Sequence, residues 1–399
     1  MSAPAHEIIL GVGGGIAAYK SCDLLRRLQD SGFGVTVVPT PSSLNFVGQA
    51  TWEALSARSA TTSVFEDVDQ VRHVSLARHA RGAIIAPATA DLIARIAAGR
   101  ADDLLTNVVL AAEFPILIVP AMHPAMWSNK ATQENVAKLV ERGFDVMQPD
   151  VGALTSGDHG KGRFPETTAI IERFTTHTLA PQDLVGKKVL VTAGGTREAL
   201  DPVRFIGNKS SGKQGIAIAE AAIARGADVT LVAANCEIDS SSKISRFNVE
   251  NTEQMQAELS RHFSDCDILF MAAAIADARP EHLSHEKIKK DSFKEIHLTQ
   301  NPDLLANLAL KKSPRQIIVA FAAETADDSH LLAREKMARK GANLIYLNDV
   351  SDGAIFGEEQ TFGSILGAET ALEITAPISK ISLAHQLINQ ALLLSDKLG

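Results

Sequence analysis

The sequence predicts an α/β protein built from two doubly wound, Rossmann-like domains. Apolar runs of strand length alternate with amphipathic stretches along the chain, which is typical of a parallel sheet covered by helices. A strand that runs into glycines occurs twice, at EIILGV (7–12) and at KKVLVTAGG (187–195). At 399 residues the chain also exceeds the usual size of one domain. We therefore expect one domain over 1–184 and a second over 185–399.

Each predicted domain repeats the same order of elements. Near 176–188 the alternation is lost in a stretch with a proline and polar residues, which places the boundary there. In the first domain the strand at 7–12 enters Gly13-Gly14-Gly15 and a helix, and further strands are expected at 34–39, 82–87, 116–120 and 143–147. In the second we expect a helix at 215–226, strands at 228–234, 267–274, 316–323 and 343–349, an edge strand near 364, and a closing helix at 381–397.

Composition and charge exclude several classes of protein. Hydrophobic residues make up 45% and charged residues 22% of the chain, which is ordinary for a globular protein. The net charge of −8 argues against a nucleic-acid-binding surface, and no apolar run approaches the ~20 residues that span a bilayer. The three cysteines lie far apart, so we expect neither disulfides nor a zinc site. We expect no signal peptide, and the predicted compartment is the cytoplasm.

Two glycine-rich segments could each bind an anion. GVGGGIAAYK (11–20) departs from the dinucleotide fingerprint because Ile16 occupies the third glycine position, which disfavours an NAD(P)-linked oxidoreductase. Such a βα turn can still present backbone N–H groups to a phosphate. GNKSSGKQ (207–214) nearly matches a P-loop, but Gln214 stands at the magnesium-ligand position and Gly195 already ends the preceding strand. We reject the P-loop, and for both segments phosphate binding stands beside the alternative of an ordinary turn.

Seven ordered motifs in the second half resemble the ligase part of the bifunctional phosphopantothenoylcysteine decarboxylase/phosphopantothenate–cysteine ligase family. They are TAGGTRE (192–198), DPVRFIGNKSSGKQG (201–215), AAIAD (273–277), KIKK (287–290), NPDLL (301–305), AFAAET (320–325) and LNDV (347–350). The first half resembles the flavin-dependent decarboxylase of the same family. The resemblance implies a flavodoxin-like flavoprotein domain, a C-terminal ligase domain and a role in coenzyme A biosynthesis.

For the second half, the resemblance implies that CTP activates the carboxylate of 4′-phosphopantothenate to an acyl-CMP, from which the cysteine amine displaces CMP. Asn208 would position that carboxylate, and Lys287 would neutralise charge as the phosphoanhydride breaks. On other grounds Asn208 could hold a turn and Lys287 could be solvated surface. Mg²⁺ is implied by the triphosphate, with its protein ligands unknown. The implied nucleotide pocket comprises Ala273, Ala274, Asp277, Lys287, Lys289, Pro302, Asp303, Leu304, Phe321, Lys336 and Lys340.

For the first half, the resemblance implies an FMN site. GVGGGIAAYK would form the flavin-phosphate turn, APATADLIARIAAGRADDLLT (86–106) would pack on the flavin, and His73 aligns with the family's catalytic histidine. On its own, His73 would more often be an ordinary helix residue. The implied flavin-binding residues are Gly13, Gly14, Gly15, Thr40, Pro87, Ala88, Thr89, Ala90 and Thr106.

Two motifs of the first half depart from the family. PAMHPAMW (120–127) has His123 where the family has an asparagine that holds the substrate, and Met126 would be a further substrate contact. LTSGDHGKGR (154–163) has Ser156 where the family has a cysteine that donates the last proton. Because a hydroxyl is a weaker acid than a thiol, we expect the complete decarboxylase reaction to be impaired.

Three interpretations stay open. The chain could be an active ligase fused to an impaired decarboxylase, or a fully bifunctional enzyme that yields 4′-phosphopantetheine. Alternatively, the first half could serve only as a flavin-binding assembly module. In each case the ligands are small molecules, and the resemblance implies a homo-oligomer with trimeric flavin domains and dimeric ligase domains.

Overall fold

The chain divides into two compact units, Met1–Ala180 and Pro181–Gly399. Within the described ranges, no helix is long and apolar enough to cross a bilayer. The computed structural model describes residues 6–63, 72–153, 157–289, 295–324, 329–349, 360–368 and 370–398.

The first unit contains a five-stranded parallel sheet in the order β2-β1-β3-β4-β5, followed by an antiparallel hairpin, β6–β7. The strands β1, β3 and β4 are almost entirely buried, as expected for a parallel sheet covered on both faces. The strands are β1 His6–Val12, β2 Phe33–Pro39, β3 Ala83–Ala88, β4 Ile116–Pro120, β5 Asp145–Val146, β6 Asp150–Ala153 and β7 His159–Arg163.

The helices of the first unit cover this sheet with apolar faces. In α1 the side chains of Leu24, Leu25 and Leu28 are completely buried, and Ser21 of the same helix donates a hydrogen bond to the Ala86 carbonyl at 2.7 Å. The helices are α1 Lys20–Asp30, α2 Gln49–Ser56, α3 Arg72–His79, α4 Ala90–Ala97, α5 Leu104–Ala111, α6 Pro124–Trp127, α7 Lys130–Glu141 and α8 Thr167–Arg173.

The second unit contains an eight-stranded sheet in the order β12-β11-β8-β13-β16-β17-β18-β19. Its strands are parallel except for β18, which runs antiparallel to both of its neighbours, β17 and β19. Two short antiparallel pairs, β9–β10 and β14–β15, lie outside it. The strands are β8 Lys188–Gly194, β9 Arg197–Ala199, β10 Phe205–Gly207, β11 Asp228–Ala234, β12 Ser245–Val249, β13 Ile268–Met271, β14 Ala278–Pro280, β15 Leu298–Gln300, β16 Ile317–Glu324, β17 Leu344–Asp349, β18 Gln360–Gly367 and β19 Ala371–Ser379.

Helices pack on both faces of the second sheet, so it has two hydrophobic cores. One core includes the buried side of the helix at 213–224, and the other includes Met255, Leu259 and Leu308. The helices are α9 Lys213–Ala224, α10 Thr252–His262, α11 Leu304–Ala309, α12 Ser329–Lys340 and α13 Lys380–Leu398.

The predicted fold class is confirmed: both units are doubly wound α/β folds with parallel sheets. The segment near 364 forms a strand, β18, but it is not the edge of the sheet, because β19 pairs with its outer side. The hairpin β6–β7 and the two short pairs of the second unit were not predicted, since their strands are too short to show an apolar alternation. The strands β12 and β19 of the main sheet of the second unit were not predicted either; both are mostly exposed or only partly buried.

Candidate functional site

The carboxyl edge of the second sheet carries a pocket of about 240 Å³. β8 and β13 lie where the strand order reverses, which is where doubly wound sheets bind ligands. Gly195, just beyond β8, pairs with Ala274, just beyond β13, so the two loops start side by side. The pocket is lined by Lys209, Ser210, Ser211, Gly212, Lys213, Gln214, Gly215, Ala272, Ala273, Ala274, Phe321, Ala322, Tyr346, Asn348, Thr361 and Lys380.

The glycine-rich loop before α9 supplies one wall of this pocket. Gly212 begins the helix with a φ of +77°, in the left-handed region that favours glycine, and a Cβ there would overlap Sγ of Cys236. Lys209 and Lys213 line the pocket beside this helix N-terminus. Backbone N–H groups and the helix dipole favour an anion at such a position. The loop therefore suits a phosphate without being a P-loop.

Asn208 joins the glycine-rich loop to the loop that follows β13. Its Nδ2 donates a hydrogen bond to the Ile275 carbonyl oxygen at 3.1 Å. In that second loop, Ala273 and Ala274 line the pocket, and Asp277 is exposed. The structure thus brings the predicted catalytic asparagine together with the AAIAD motif.

A buried polar network supports the loop after β13. Thr196 Oγ1 accepts the Ala276 N–H at 2.9 Å and lies 3.3 Å from Thr252 Oγ1. The Thr252 hydroxyl donates to Glu198 Oε1 at 2.6 Å and accepts from Asn301 Nδ2 at 3.2 Å. A satisfied network of this kind holds its backbone in one arrangement. Sequence reasoning gave these side chains no role, although three of them belong to the TAGGTRE and NPDLL motifs.

Lys287 and Lys289 are exposed, and the residue between them is fixed to the turn before β10. The Ile288 N–H donates to Asp201 Oδ2 at 3.2 Å, and Arg204 Nη2 donates to the Ile288 carbonyl oxygen at 2.8 Å. Burial raises the pKa of the Asp201 carboxyl, but backbone N–H bonds and the nearby Arg204 charge outweigh burial and lower that pKa. A stable carboxylate therefore anchors the lysine segment, and sequence reasoning missed it.

The other predicted nucleotide-binding residues of the second unit lie around α11 and α12. Asp303 caps α11 by accepting a backbone N–H at 3.1 Å, and Lys340 Nζ lies 3.4 Å from Asp303 Oδ2. Leu304 is 3% exposed and packs in the core. Pro302 is exposed, and Lys336 is half-buried. None of these five described residues is among those that line the pocket.

Phe321 forms the opposite wall of the pocket with Tyr346, and the two rings meet edge to face with centroids 6.0 Å apart. The Tyr346 hydroxyl shares a hydrogen bond with Thr361 Oγ1 at 2.9 Å, and Thr361 donates to Asn348 Oδ1 at 3.0 Å. Burial raises the pKa of Tyr346 to about 12, so its phenol is neutral. Of this wall the sequence identified Phe321, while Asn348 lies in the LNDV motif without an assigned role.

In the first unit, the glycines at 13–15 follow β1, at the point where the strand order reverses between β1 and β3. The Gly13 N–H donates to the Pro87 carbonyl oxygen at 3.0 Å. Cβ atoms on the first two glycines would overlap Pro87 and Ser42, and one on the third would lie 3.2 Å from Thr89 Cγ2. Three predicted flavin-binding segments therefore converge on a cradle that added side chains would fill.

The remaining predicted flavin-binding residues have structural contacts. Thr40 is buried, and its hydroxyl donates to the Val12 carbonyl oxygen at 3.1 Å. Ala88 is buried at the end of β3, and Ala90 begins α4. Thr106 is 2% exposed, and its hydroxyl lies in the capping box of α5. Its side chain is therefore occupied by the helix cap.

Two predicted decarboxylase residues lie in α3 and α6. His73 is half-buried in α3, and its Nδ1 is buried without a hydrogen-bond partner among the residues that the structure describes. Met126 of α6 is 49% exposed. Ser156, like Lys290, lies outside the described residues.

His123 caps α6 with its side chain. Nδ1 accepts the Ala125 N–H at 3.2 Å, and Nε2 lies 2.9 Å from Oδ2 of Asp158. Asp158 immediately precedes β7 and was not singled out from the sequence. The only sequence signal for Asp158 is that it lies in LTSGDHGKGR, the motif that differs from the family at Ser156.

Two protein families match the two units. The family described as Flavoprotein matches residues 1–179, and the DNA/pantothenate metabolism flavoprotein C-terminal domain matches residues 184–394.

The chain is similar along most of its length to proteins named coenzyme A biosynthesis bifunctional protein CoaBC. The one from Mycobacterium tuberculosis (strain ATCC 25618 / H37Rv) is 46% identical, over 92% of each chain. The one from Vibrio vulnificus (strain YJ016) is 41% identical, over 96% of each chain. A crystal structure of the C-terminal domain of such a protein is 32% identical and covers 54% of this chain and 99% of its own, with a TM-score of 0.47. The chain therefore belongs to the family of bifunctional coenzyme A biosynthesis proteins, with a flavoprotein domain followed by a DNA/pantothenate metabolism flavoprotein C-terminal domain.

Proposed function

We propose that the second unit joins cysteine to 4′-phosphopantothenate at the expense of CTP, and that the first unit decarboxylates the product with FMN. The observation that carries the ligase half is the pocket beyond β8 and β13, where a helix N-terminus with two lysines faces an aromatic wall. The family membership of the chain supports both halves.

The pocket has complementary walls for a nucleotide. Lys209, Lys213 and the N–H groups at the start of α9 would hold phosphate groups. The Phe321 ring and the Asn348 amide would face the base and sugar from the other side. These contacts do not distinguish cytosine from adenine, so CTP rather than ATP is proposed from family membership.

The ligase reaction would proceed in two steps. A carboxylate oxygen of 4′-phosphopantothenate attacks the α-phosphorus of CTP, which forms acyl-CMP and releases pyrophosphate. The amine of cysteine then attacks the acyl carbon, CMP leaves, and the amine loses one proton. Lys287 would neutralise charge in the first step, and Asn208 would hold the acyl carbonyl in the second. The hydrogen bond from Asn208 to the Ile275 carbonyl and the hydrogen bond from the Ile288 N–H, next to Lys287, to Asp201 support these two assignments.

Among the described residues, no group of three or more His, Cys, Asp or Glu side chains could hold the implied magnesium ion. We therefore derive no step through it. An ion carried by the triphosphate itself would need few protein ligands.

The glycine cradle of the first unit suits a flavin phosphate, because it is the turn between a strand and a helix and neighbouring segments pack closely on it. A bound flavin would accept hydride from the thiol-bearing carbon of the substrate and return it later. His73 presents a buried nitrogen that needs a partner, which suits a group that contacts flavin or substrate. The bifunctional relatives favour a complete decarboxylase reaction over an impaired one. Its last proton would then come from a group other than a cysteine thiol.

We propose that the protein is a cytoplasmic homo-oligomer. The three cysteines are free thiols, which suits a reducing compartment. Val203, Phe205, Leu283 and Leu298 are each more than half exposed on or next to the short strand pairs of the second unit, and they would pair two ligase domains. Exposed Tyr19, near the glycine turn, would join flavin domains into trimers.

The ligase proposal is tested by identifying products by mass after incubating the protein with 4′-phosphopantothenate, cysteine and Mg²⁺, with either CTP or ATP. Phosphopantothenoylcysteine with CTP supports the proposal, and its formation with ATP alone corrects the nucleotide. A third arm without cysteine should accumulate acyl-CMP.

A further inference from the structure

The tautomer of the neutral His123 imidazole follows from its two hydrogen-bond partners. Nδ1 accepts the Ala125 N–H, so it cannot itself carry a proton, because two N–H groups would then point at each other. The proton of the neutral imidazole is therefore on Nε2 and is directed at the carboxylate of Asp158, 2.9 Å away. The helix cap thus presets His123 as a hydrogen-bond donor to a carboxylate.

The loop that carries this donor starts at the sheet edge that also carries the glycine cradle. The Ala121 N–H donates to the carbonyl oxygen of Ala88 at 3.1 Å, so the loop that carries His123 starts next to the end of β3, which supports the cradle. β7 packs on the same loop, since the Met122 N–H donates to the Gly162 carbonyl oxygen at 3.0 Å. The His123–Asp158 contact therefore stands at the sheet edge where the proposed decarboxylase substrate would bind.

We propose that Asp158 is an internal competitor for the substrate carboxylate: it occupies the His123 Nε2–H donor until a carboxylate-bearing ligand replaces it. The inference rests on the proposed decarboxylase function. The His123 and Asp158 side chains are 42% and 56% exposed, so a ligand can reach the donor. An exposed pair of this kind is weak, which makes the exchange easy. A product that has lost its carboxylate cannot make the exchange, so the pair selects substrate over product.

The test compares two probes on the flavin-loaded protein by calorimetry. One is the serine analogue of the substrate, which keeps the carboxylate and has no thiol to oxidise, and the other is the ethanolamine analogue, which lacks the carboxylate. Asp158→Asn should bind the serine analogue about 3–10-fold more tightly, because the competing charge is gone, and the ethanolamine analogue equally well. His159→Gln, an exposed neighbour in β7, is the matched control and should change neither affinity.

Three outcomes decide the proposal. The effect of Asp158→Asn should disappear in a His123→Ala background, since the two side chains act through one hydrogen bond. In the ligand-free protein, nitrogen NMR of His123 should find the proton on Nε2. If Asp158→Asn changes the affinity for both probes by the same factor, or changes neither affinity, the inference is wrong and the proposed function still stands. Failure of the flavin-loaded wild type to bind either probe overturns the proposed decarboxylase function itself.

Discussion

The side-chain amide of Asn208 donates a hydrogen bond to the carbonyl of Ile275, 67 residues further along the chain. This contact joins the glycine-rich loop to the loop after β13, the two walls of the pocket that meet at the β8/β13 reversal. The amide is therefore held at the junction of these two loops.

We expect Asn208→Asp to slow the capture of acyl-CMP by cysteine about 10²–10³-fold. The new carboxylate would face the Ile275 carbonyl as acceptor against acceptor and would repel the developing charge of the intermediate. Rapid-quench analysis should find acyl-CMP accumulating while ligation slows. Asn129→Asp is the control, because Asn129 only caps α7 and aspartate caps equally well. Equal ligation rates in both variants would mean that Asn208 only holds a turn.

Lys287→Gln should abolish formation of acyl-CMP itself. The segment that carries Lys287 is tied to Asp201 and Arg204 through the backbone of Ile288, which fixes the point from which the exposed Lys287 side chain extends. Loss of that charge should reduce pyrophosphate release about 10²-fold or more. Lys243→Gln, a change at an exposed lysine of the same unit, should release pyrophosphate at the wild-type rate. If both variants release pyrophosphate at the same rate, Lys287 is an ordinary solvated surface residue.

Asp201 should make the second unit sensitive to acid. The pKa of its carboxyl is lower in the folded chain than the ordinary value of 3.8. The stabilisation that the Asp201 carboxylate contributes is therefore complete when the pH is above the ordinary pKa. It is lost as the pH falls through the lower pKa that the carboxyl has in the folded chain. As the pH falls below about 4, stability should fall more steeply in wild type than in Asp201→Asn. Hydrogen exchange of the amides around Ile288 measures this loss of stability. If the exchange rates of wild type and Asp201→Asn depend on pH in the same way, the prediction is wrong.

Gly14→Ala should weaken flavin binding. A Cβ at Gly14 would overlap the side chain of Ser42, which would push the turn away from the segment at 40–42. We expect flavin affinity to fall about 10-fold or more, as measured by fluorescence titration. Gly48→Ala is the control, since Gly48 has a negative φ and an added Cβ meets nothing within 4 Å. Unchanged affinity in Gly14→Ala would place the flavin phosphate elsewhere.

Arg225→Ala should destabilise the second unit. Arg225 is 2% exposed, and its guanidinium binds Asp183 at 2.6 Å and Asn389 Oδ1 at 2.7 Å. Because Asp183 is half-exposed and can be resolvated, we expect a loss of about 1–3 kcal/mol. Both tryptophans, Trp52 and Trp127, lie in the first unit, so hydrogen exchange of β8 and α9 is the suitable readout. Arg261→Ala, at an exposed ion pair, should lose less than about 1 kcal/mol.

The sequence predicted the main strands of both sheets because buried parallel strands are continuous apolar runs. It could not predict the polar strands β6, β7, β9 and β10, whose order comes from packing and not from alternation. The same limit applies to the sites. The motifs singled out Asn208, Lys287 and Phe321, but the segment of Lys287 is anchored by a contact between Ile288 and Asp201, 87 residues apart in the chain, which no local pattern records.

The hydrogen-bonding role of His123 is a second feature that the sequence alone could not predict. From the sequence, its imidazole was a bulkier replacement for an asparagine, and the change suggested an impaired reaction. Whether it can donate to a carboxylate depends on which nitrogen carries the proton. That is decided by the Ala125 N–H and by Asp158, a partner that lies 35 residues away.

The most direct test of the central claim is a single incubation of the flavin-loaded protein with 4′-phosphopantothenate, cysteine, CTP and Mg²⁺, followed over time by mass spectrometry. The account predicts that phosphopantothenoylcysteine appears first, together with CMP and pyrophosphate, and is then converted to 4′-phosphopantetheine with release of CO₂. Absence of phosphopantothenoylcysteine with both CTP and ATP would contradict the account. Accumulation of phosphopantothenoylcysteine without 4′-phosphopantetheine would confine the activity to the second unit and contradict the proposed decarboxylase.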